Sequence, residues 1–177
     1  MDKAQLKKIE DFAEKLCKQY RDDPHLWDTH VRLVRKYALI LAGIEKADKE
    51  VVEIAAILHD IGKCRGKDGH EESGHELAKD FVDQLDFPKA KKELILKCIL
   101  KHSSKYAKED NGLEVKILNS ADGLAVIFNP EWEQFSRATV PKSELSALLT
   151  KVEARLNLAS ARKLAEPQFK KLKLLIE

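Results

Sequence analysis

The side chains of this sequence that could do chemistry together are imidazoles and carboxylates. All six histidines lie within the first 102 of the 177 residues: His25, His30, His59, His70, His75 and His102. Asp60 directly follows His59, and Asp122 lies in an otherwise apolar segment. Imidazole nitrogens with carboxylate oxygens suit Mn, Fe, Co, Ni, Zn or Mg, so these residue types predict a divalent-metal site.

The three cysteines, Cys17, Cys64 and Cys98, are far apart and form no Cys-x-x-Cys pair. This spacing indicates neither a disulfide framework nor a structural zinc knuckle. We therefore expect reduced thiols that take no part in a metal site.

Helical periodicity places the candidate ligands on buried faces. His30, His59 and His102 each share a helix face with apolar residues at three- and four-residue spacing, and Asp122 is framed by apolar residues in a fourth segment. Burying a carboxylate without a partner is costly, and a divalent cation removes that cost. His59 and Asp60, about 100° apart on a helix, can approach one ion from neighbouring directions.

Apolar periodicity without strict alternation, together with few glycines and prolines, predicts an all-α single domain. We expect helices near 3–20, 26–43, 48–61, 72–85, 88–102, 113–128 and 142–165, and a last helix with Pro167 in its first turn. Asp48 and Ser143 are the expected N-caps. Gly43 and Gly112 are expected to end or separate helices, and 62–71 and 103–112 are the longest predicted loops.

In the order of these histidines and aspartates, the sequence resembles the HD superfamily of metal-dependent phosphohydrolases. The order is His30, then the pair His59-Asp60 after 28 residues, then Asp122 after a further 61. The segments AAILHDIGK (55–63) and ILNSAD (117–122) are similar to the two most recognisable segments of the family. The segments HEESGHELA (70–78) and ILKHS (99–103) resemble the parts that carry extra histidines in its dinuclear members.

The resemblance implies an all-helical HD core over about 20–130 with a C-terminal helical extension over about 131–177. It implies a first metal held by His30, His59, Asp60 and Asp122, and a second held by Asp60, His70 and His102. His70 is preferred over His75, because His70 aligns with the family histidine that opens the fourth helix.

The activity implied by the resemblance is hydrolysis of a phosphomonoester or phosphodiester by a metal-bound hydroxide, with one or two divalent ions as cofactor. Asp60 and Lys63 are the expected catalytic residues. Lys63, Arg65 and Lys67, which follow the His-Asp pair in a loop, are the expected substrate-binding cations. A nucleotide or a related small phosphate is the expected substrate.

Two other functions stay open at this point. Some HD relatives use the same ligands in a dinuclear-iron oxygenase, and a site could also hold metal without turnover. The segment after Asp122, Gly123-Leu124-Ala125, lacks the charged residue that many small stand-alone relatives carry there, and His75 stands where relatives usually have a small residue. Both departures concern the substrate more than the fold.

Composition restricts the partners. The 32 Lys and Arg nearly balance the 30 Asp and Glu, which argues against a protein that coats nucleic acid. No apolar run is long enough to span a bilayer, and the charged start is unlike a signal peptide, so we expect a cytoplasmic protein without membrane contact. The basic amphipathic run 169–175 is expected to pack on the domain or on a second subunit, which leaves a homo-oligomer open. Trp132, together with Phe128 and Phe135, is expected to pack the C-terminal helices on the core.

Overall fold

A computed structural model describes residues 1–106, 109–131, 134 and 140–175. Within these residues the chain forms eight α-helices, with short 3-10 and π-helical segments and no strand. The helices are α1 (Lys3–Cys17), α2 (Arg32–Glu45), α3 (Lys49–Leu58), α4 (His70–Asp83), α5 (Lys89–Lys101), α6 (Leu113–Ile127), α7 (Lys142–Arg155) and α8 (Ala159–Lys173). The all-α prediction is therefore confirmed.

The centre of the bundle is formed by α3 and α6. Residues 51–58 of α3 are buried except at Glu53, and residues 117–125 of α6 are all buried. A helix that is apolar on nearly every side belongs in the interior of a bundle. Helix α2 packs against both of these helices, α5 packs against α3, and α4 packs against α5.

The ends of α3 explain where the His-Asp pair lies. Asp48 caps the N-terminus as predicted, because its carboxylate accepts hydrogen bonds from the backbone N–H groups of Glu50 (3.0 Å) and Val51 (3.1 Å). The predicted extension of this helix to residue 61 is wrong. Helix α3 ends at Leu58, and Asp60 (φ −104°, ψ 6°) leads into a 3-10 helix at Ile61–Arg65. His59 and Asp60 are thus directed by a turn and not by one continuous helix.

The structure near two glycines also differs from the predicted helix and loop boundaries. Gly69 has φ 69° and lies just before α4, so His70 is the first residue of this helix and not part of the preceding loop. A left-handed conformation at the N-cap is one that glycine adopts without strain. Gly43 lies inside α2, which continues to Glu45 and ends where Lys46 adopts φ 57°.

The C-terminal helices were predicted with the wrong boundaries. The expected helix 142–165 is interrupted after Arg155, because Leu156 turns inward and is almost fully buried. Pro167 lies inside α8 and not in its first turn. The N-cap of α7 is Pro141 and not Ser143, which is the second residue of the helix. Trp132 and Phe135 lie outside the described residues, so their expected packing stays a prediction.

Helix α8 packs on the rest of the domain. Its Phe169 and Leu172 are buried, and the side-chain amide of Gln168 donates to the backbone carbonyl of Ile127 (2.8 Å). The division into a core and a C-terminal extension stays a prediction, although both parts contribute to one hydrophobic interior. In the described part of the chain, no helix combines the length and apolar character needed to cross a bilayer.

The three cysteines are free, as predicted. Cys17 and Cys98 are buried, and burial raises the pKa of the Cys17 thiol to about 12. Among the described residues, no cysteine belongs to a group that could hold a metal ion.

Candidate metal centre

The first group of potential ligands joins three helical segments. His30 lies in a π-helical turn (Trp27–Val31) that precedes α2, His59 lies at the C-terminus of α3, and Asp122 lies in the middle of α6. The Nε2 atoms of His30 and His59 are 3.4 Å apart, and His30 Nε2 is 3.2 Å from Asp122 Oδ1. The donor atoms of the three residues all lie within 4.8 Å of one another, which is close enough to share one ion.

The second group consists of Asp60, His70 and His102, and its donor atoms also lie within 4.8 Å of one another. His70 opens α4, and His102 follows the last residue of α5. Asp60 Oδ1 is 3.5 Å from His70 Nε2 and 3.7 Å from His102 Nε2. The structure therefore brings together, from five helical segments, all six side chains that the sequence predicted as ligands.

Asp60, a member of the second group, also faces the first group. Its Oδ2 faces the first group, at 3.3 Å from His59 Nε2 and 3.4 Å from His30 Nε2, while its Oδ1 faces the second. A carboxylate with its two oxygens directed at two clusters of donors has the geometry of a bridging ligand. The turn that ends α3 produces this placement.

Three of the imidazoles are held by backbone carbonyl groups. The Nδ1 atoms of His59, His70 and His102 donate to the carbonyl oxygens of Ala56 (2.8 Å), Lys67 (2.8 Å) and Ile99 (2.7 Å), each three residues earlier. A carbonyl oxygen only accepts, so the proton of each neutral ring lies on Nδ1. The Nε2 lone pairs are then directed into the site.

The distance between these lone pairs indicates whether a cation fits the site. The Nε2 atoms of His70 and His102 are 3.1 Å apart, and in this tautomer both are acceptors. Two lone pairs at this distance repel unless a cation lies between or beside them. Burial lowers the pKa of His70, which favours the neutral ring. Neutral imidazoles that converge with carboxylates are a donor set that fits a divalent metal.

Lys63 compensates the charge of Asp60. Its Nζ lies 2.6 Å from Asp60 Oδ2, one turn along the 3-10 helix. Burial alone would raise the pKa of Asp60, but the ammonium of Lys63 acts against burial, and that pKa lies well below its usual range. Asp60 is therefore ionised, which is the state in which a carboxylate can bind a cation.

Asp122 has a cationic partner that the sequence analysis did not predict. The guanidinium of Arg155, at the end of α7, donates to Asp122 Oδ2 at 2.5 Å. Burial raises the pKa of Asp122, but Arg155 and His30 outweigh it and hold the pKa far below its usual range. Arg155 follows Asp122 by 33 residues and belongs to no motif, and the small residue Gly123 was the one hint that a neighbour approaches here.

The backbone around His102 is tied to the central helix. The side-chain amide of Asn119 on α6 donates to the backbone carbonyls of Lys101 (3.0 Å) and Val115 (3.2 Å). Lys101 directly precedes His102, so this bond fixes the end of α5 relative to α6. It also explains a polar side chain within the buried segment that ends at Asp122.

Some expected site residues lie apart from the two groups. Arg65 is half exposed and donates to Glu76 (3.0 Å), and the side chain of Lys67 is exposed. The backbone of Lys67 nevertheless contributes, because its carbonyl orients His70. His75 is partly buried on α4, in neither group.

The HD domain family matches residues 27–127, more than half of the chain. The chain therefore belongs to the HD superfamily of metal-dependent phosphohydrolases. The matched region contains all six potential ligands and ends before α7. No curated protein and no solved structure matches the chain significantly.

Proposed function

We propose that this protein is a dinuclear phosphohydrolase that cleaves a phosphate ester of a nucleotide or a related small molecule. The proposal is carried by Asp60, whose Oδ2 faces the group of His30, His59 and Asp122 and whose Oδ1 faces the Nε2 atoms of His70 and His102. Membership in the HD superfamily supports metal-dependent hydrolysis, and the donor groups support divalent ions as cofactors.

The proposed ligand sets follow the two groups. His30, His59, Asp60 and Asp122 hold the first ion, and Asp60, His70 and His102 hold the second. Bound divalent ions lower the pKa of a water molecule to near neutrality and polarise a phosphoryl oxygen. The carbonyl groups of Ala56, Lys67 and Ile99 keep the Nε2 atoms directed at the ions, as outer partners of metal-bound histidines do.

Lys63 is the proposed catalytic cation. Its ammonium lies beside Asp60 and is largely shielded from solvent. The carboxylate of Asp60 raises the pKa of Lys63 against the opposite effect of burial, so the charge is retained at neutral pH. A fixed cation at this place stabilises the negative charge that develops on a phosphoryl group. Arg65 and Lys67 would contact a larger substrate from the loop.

The test is a screen of metal-free protein reloaded separately with Mn, Mg, Co, Ni, Fe or Zn against nucleotides and other phosphate esters, with release of inorganic phosphate or nucleoside as the readout. We expect turnover with at least one ion and at least a hundredfold loss in Asp60→Ala. His25→Ala is the matched control, because His25 is exposed and outside both groups.

Two outcomes would contradict the proposal. Metal binding without turnover of any ester would favour a binding module. Oxygen consumption by the iron-loaded protein, with no hydrolysis under any ion, would favour the dinuclear-iron oxygenase.

A further inference from the structure

The metal centre has a cation that comes from outside the region matched by the family. Arg155 lies 28 residues beyond the end of that match, at the C-terminal end of α7, and its guanidinium reaches Asp122. Its side chain is 21% exposed, while that of Asp122 is 8% exposed. The contact thus lies between the buried ligands and solvent.

The backbone on both sides of Arg155 is fixed. The carbonyl of Arg155 accepts a hydrogen bond from the hydroxyl of Ser120 on α6 (3.2 Å). The next residue, Leu156, is buried, and its carbonyl accepts from Arg162 Nε (2.8 Å). These bonds place the guanidinium before any ligand arrives, which reduces the entropy lost on binding.

Gly123 allows this approach of α7. A Cβ atom at Gly123 would lie 3.4 Å from Arg155 Cβ and 3.5 Å from side-chain atoms of Leu156 and Val152. A single methyl group there would be in ordinary van der Waals contact with α7, and a side chain longer than that of alanine would meet these atoms. Gly123 itself has no charge, and the guanidinium of Arg155 supplies a positive charge beside Asp122.

Among the described residues, most of the hydrogen-bonding capacity of Arg155 has no partner. A guanidinium has five N–H groups. Within the described residues, the side chain of Arg155 donates to Asp122 alone. The arrangement resembles that of Lys63 beside Asp60, so two cations and two carboxylates balance one another in the protein without ions.

Once Asp60 and Asp122 share their charge with divalent ions, this balance changes. The site then has a surplus of positive charge, and the N–H groups of Arg155 that have no partner among the described residues lie next to it. Planar guanidinium groups bind two oxygens of a phosphate at once. We propose that Arg155 binds the phosphate group of the substrate, so that α7 completes the active site. This inference rests on the proposed phosphohydrolase function.

The test measures binding of inorganic phosphate to manganese-loaded protein by calorimetry, after the manganese content of each variant has been determined. We expect Arg155→Met to retain manganese and to bind phosphate at least tenfold more weakly, because charge-assisted hydrogen bonds are lost. Arg155→Lys should be intermediate, since an ammonium cannot form the bidentate contact. Lys151→Met removes an exposed cation of the same helix and should match the parent.

The KM for the best phosphate ester should rise in parallel with the phosphate dissociation constant. Unchanged phosphate affinity in metal-retaining Arg155→Met would overturn the inference, and so would loss of manganese in that variant, which would make Arg155 a positioning residue for Asp122. If Arg155→Met does not fold, parental affinity in Arg155→Lys overturns it. Arg155-dependent phosphate binding without hydrolysis of any ester would instead reject the proposed function alone.

Discussion

Replacing Gly62 with alanine should disrupt the contact between the 3-10 helix and α4. A Cβ atom at Gly62 would lie 2.0 Å from the carbonyl oxygen of His70, 2.4 Å from the backbone nitrogen of Gly74 and 2.9 Å from Gly74 Cα. These are backbone atoms of a helix, so no side-chain rotation relieves the overlap. Helix α4 would have to move outward by more than about 1 Å to restore an ordinary contact distance.

The expected cost is at the upper end for overpacking, about 3 kcal/mol in the free energy of unfolding. For a domain of this size, about 2–4 °C in melting temperature corresponds to each kcal/mol, so Gly62→Ala should melt about 6–12 °C lower. Gly43→Ala is the matched control. Its Cβ would meet only the end of the Lys49 side chain, at 3.7 and 3.8 Å, in the interior of α2. We expect this change to stabilise the protein by about 0.5–1 kcal/mol.

The assay is urea and thermal unfolding, followed by circular dichroism, of the metal-free parent, Gly62→Ala and Gly43→Ala. The absence of metal separates the packing effect from any change in ion binding. A Gly62→Ala protein within 1 kcal/mol of the parent, or one as stable as Gly43→Ala, would refute the proposed close contact at α4.

Two further predictions concern stability. Chelation should lower the melting temperature of metal-loaded protein by about 5–10 °C. A metal ion present at a hundred times its dissociation constant contributes about 2.7 kcal/mol to the free energy of unfolding, and it relieves the repulsion between Asp60 and Asp122. An unchanged melting curve would contradict the ligand assignment. Burial raises the pKa of Asp48, but the hydrogen bonds from the N–H of Val51 and the ammonium of Lys91 outweigh burial. The pKa of Asp48 therefore lies below its usual value. The parent should therefore be more stable than Asp48→Asn above about pH 5 and should lose this advantage as the pH falls below about 4. Urea titrations from pH 7 to 3 measure this difference in the free energy of unfolding. A difference that does not change with pH would argue against an ionised cap.

Local sequence pattern was sufficient for the elements that hold most of the ligands. The three- and four-residue spacing of apolar residues placed His59, His102 and Asp122 on inward faces, because this spacing defines which face of a helix is buried. The pattern failed where tertiary contacts decide. Leu156 continues the apolar periodicity of α7, yet it turns into the core and ends the helix.

The position of Arg155 could not be predicted for the same reason. Its contact with Asp122 depends on the path of α7 across α6, which no local spacing specifies. The bend at Asp60 was also missed, since residues 48–61 form a continuous helical pattern and the close approach of α4 at Gly62 is not visible in it. The roles of the six ligands stay predictions until an ion is measured.

The most direct test of the account is the number of manganese ions per chain, measured by elemental analysis after equilibration and gel filtration. The parent and the control His25→Ala should bind one ion tightly and a second more weakly, approaching two per chain at saturation. His102→Ala should bind one ion, because the second group loses a ligand while the first stays intact, and Asp60→Ala should impair both positions. A parent without bound metal, or a His102→Ala protein with the same two ions as the parent, would contradict the dinuclear centre.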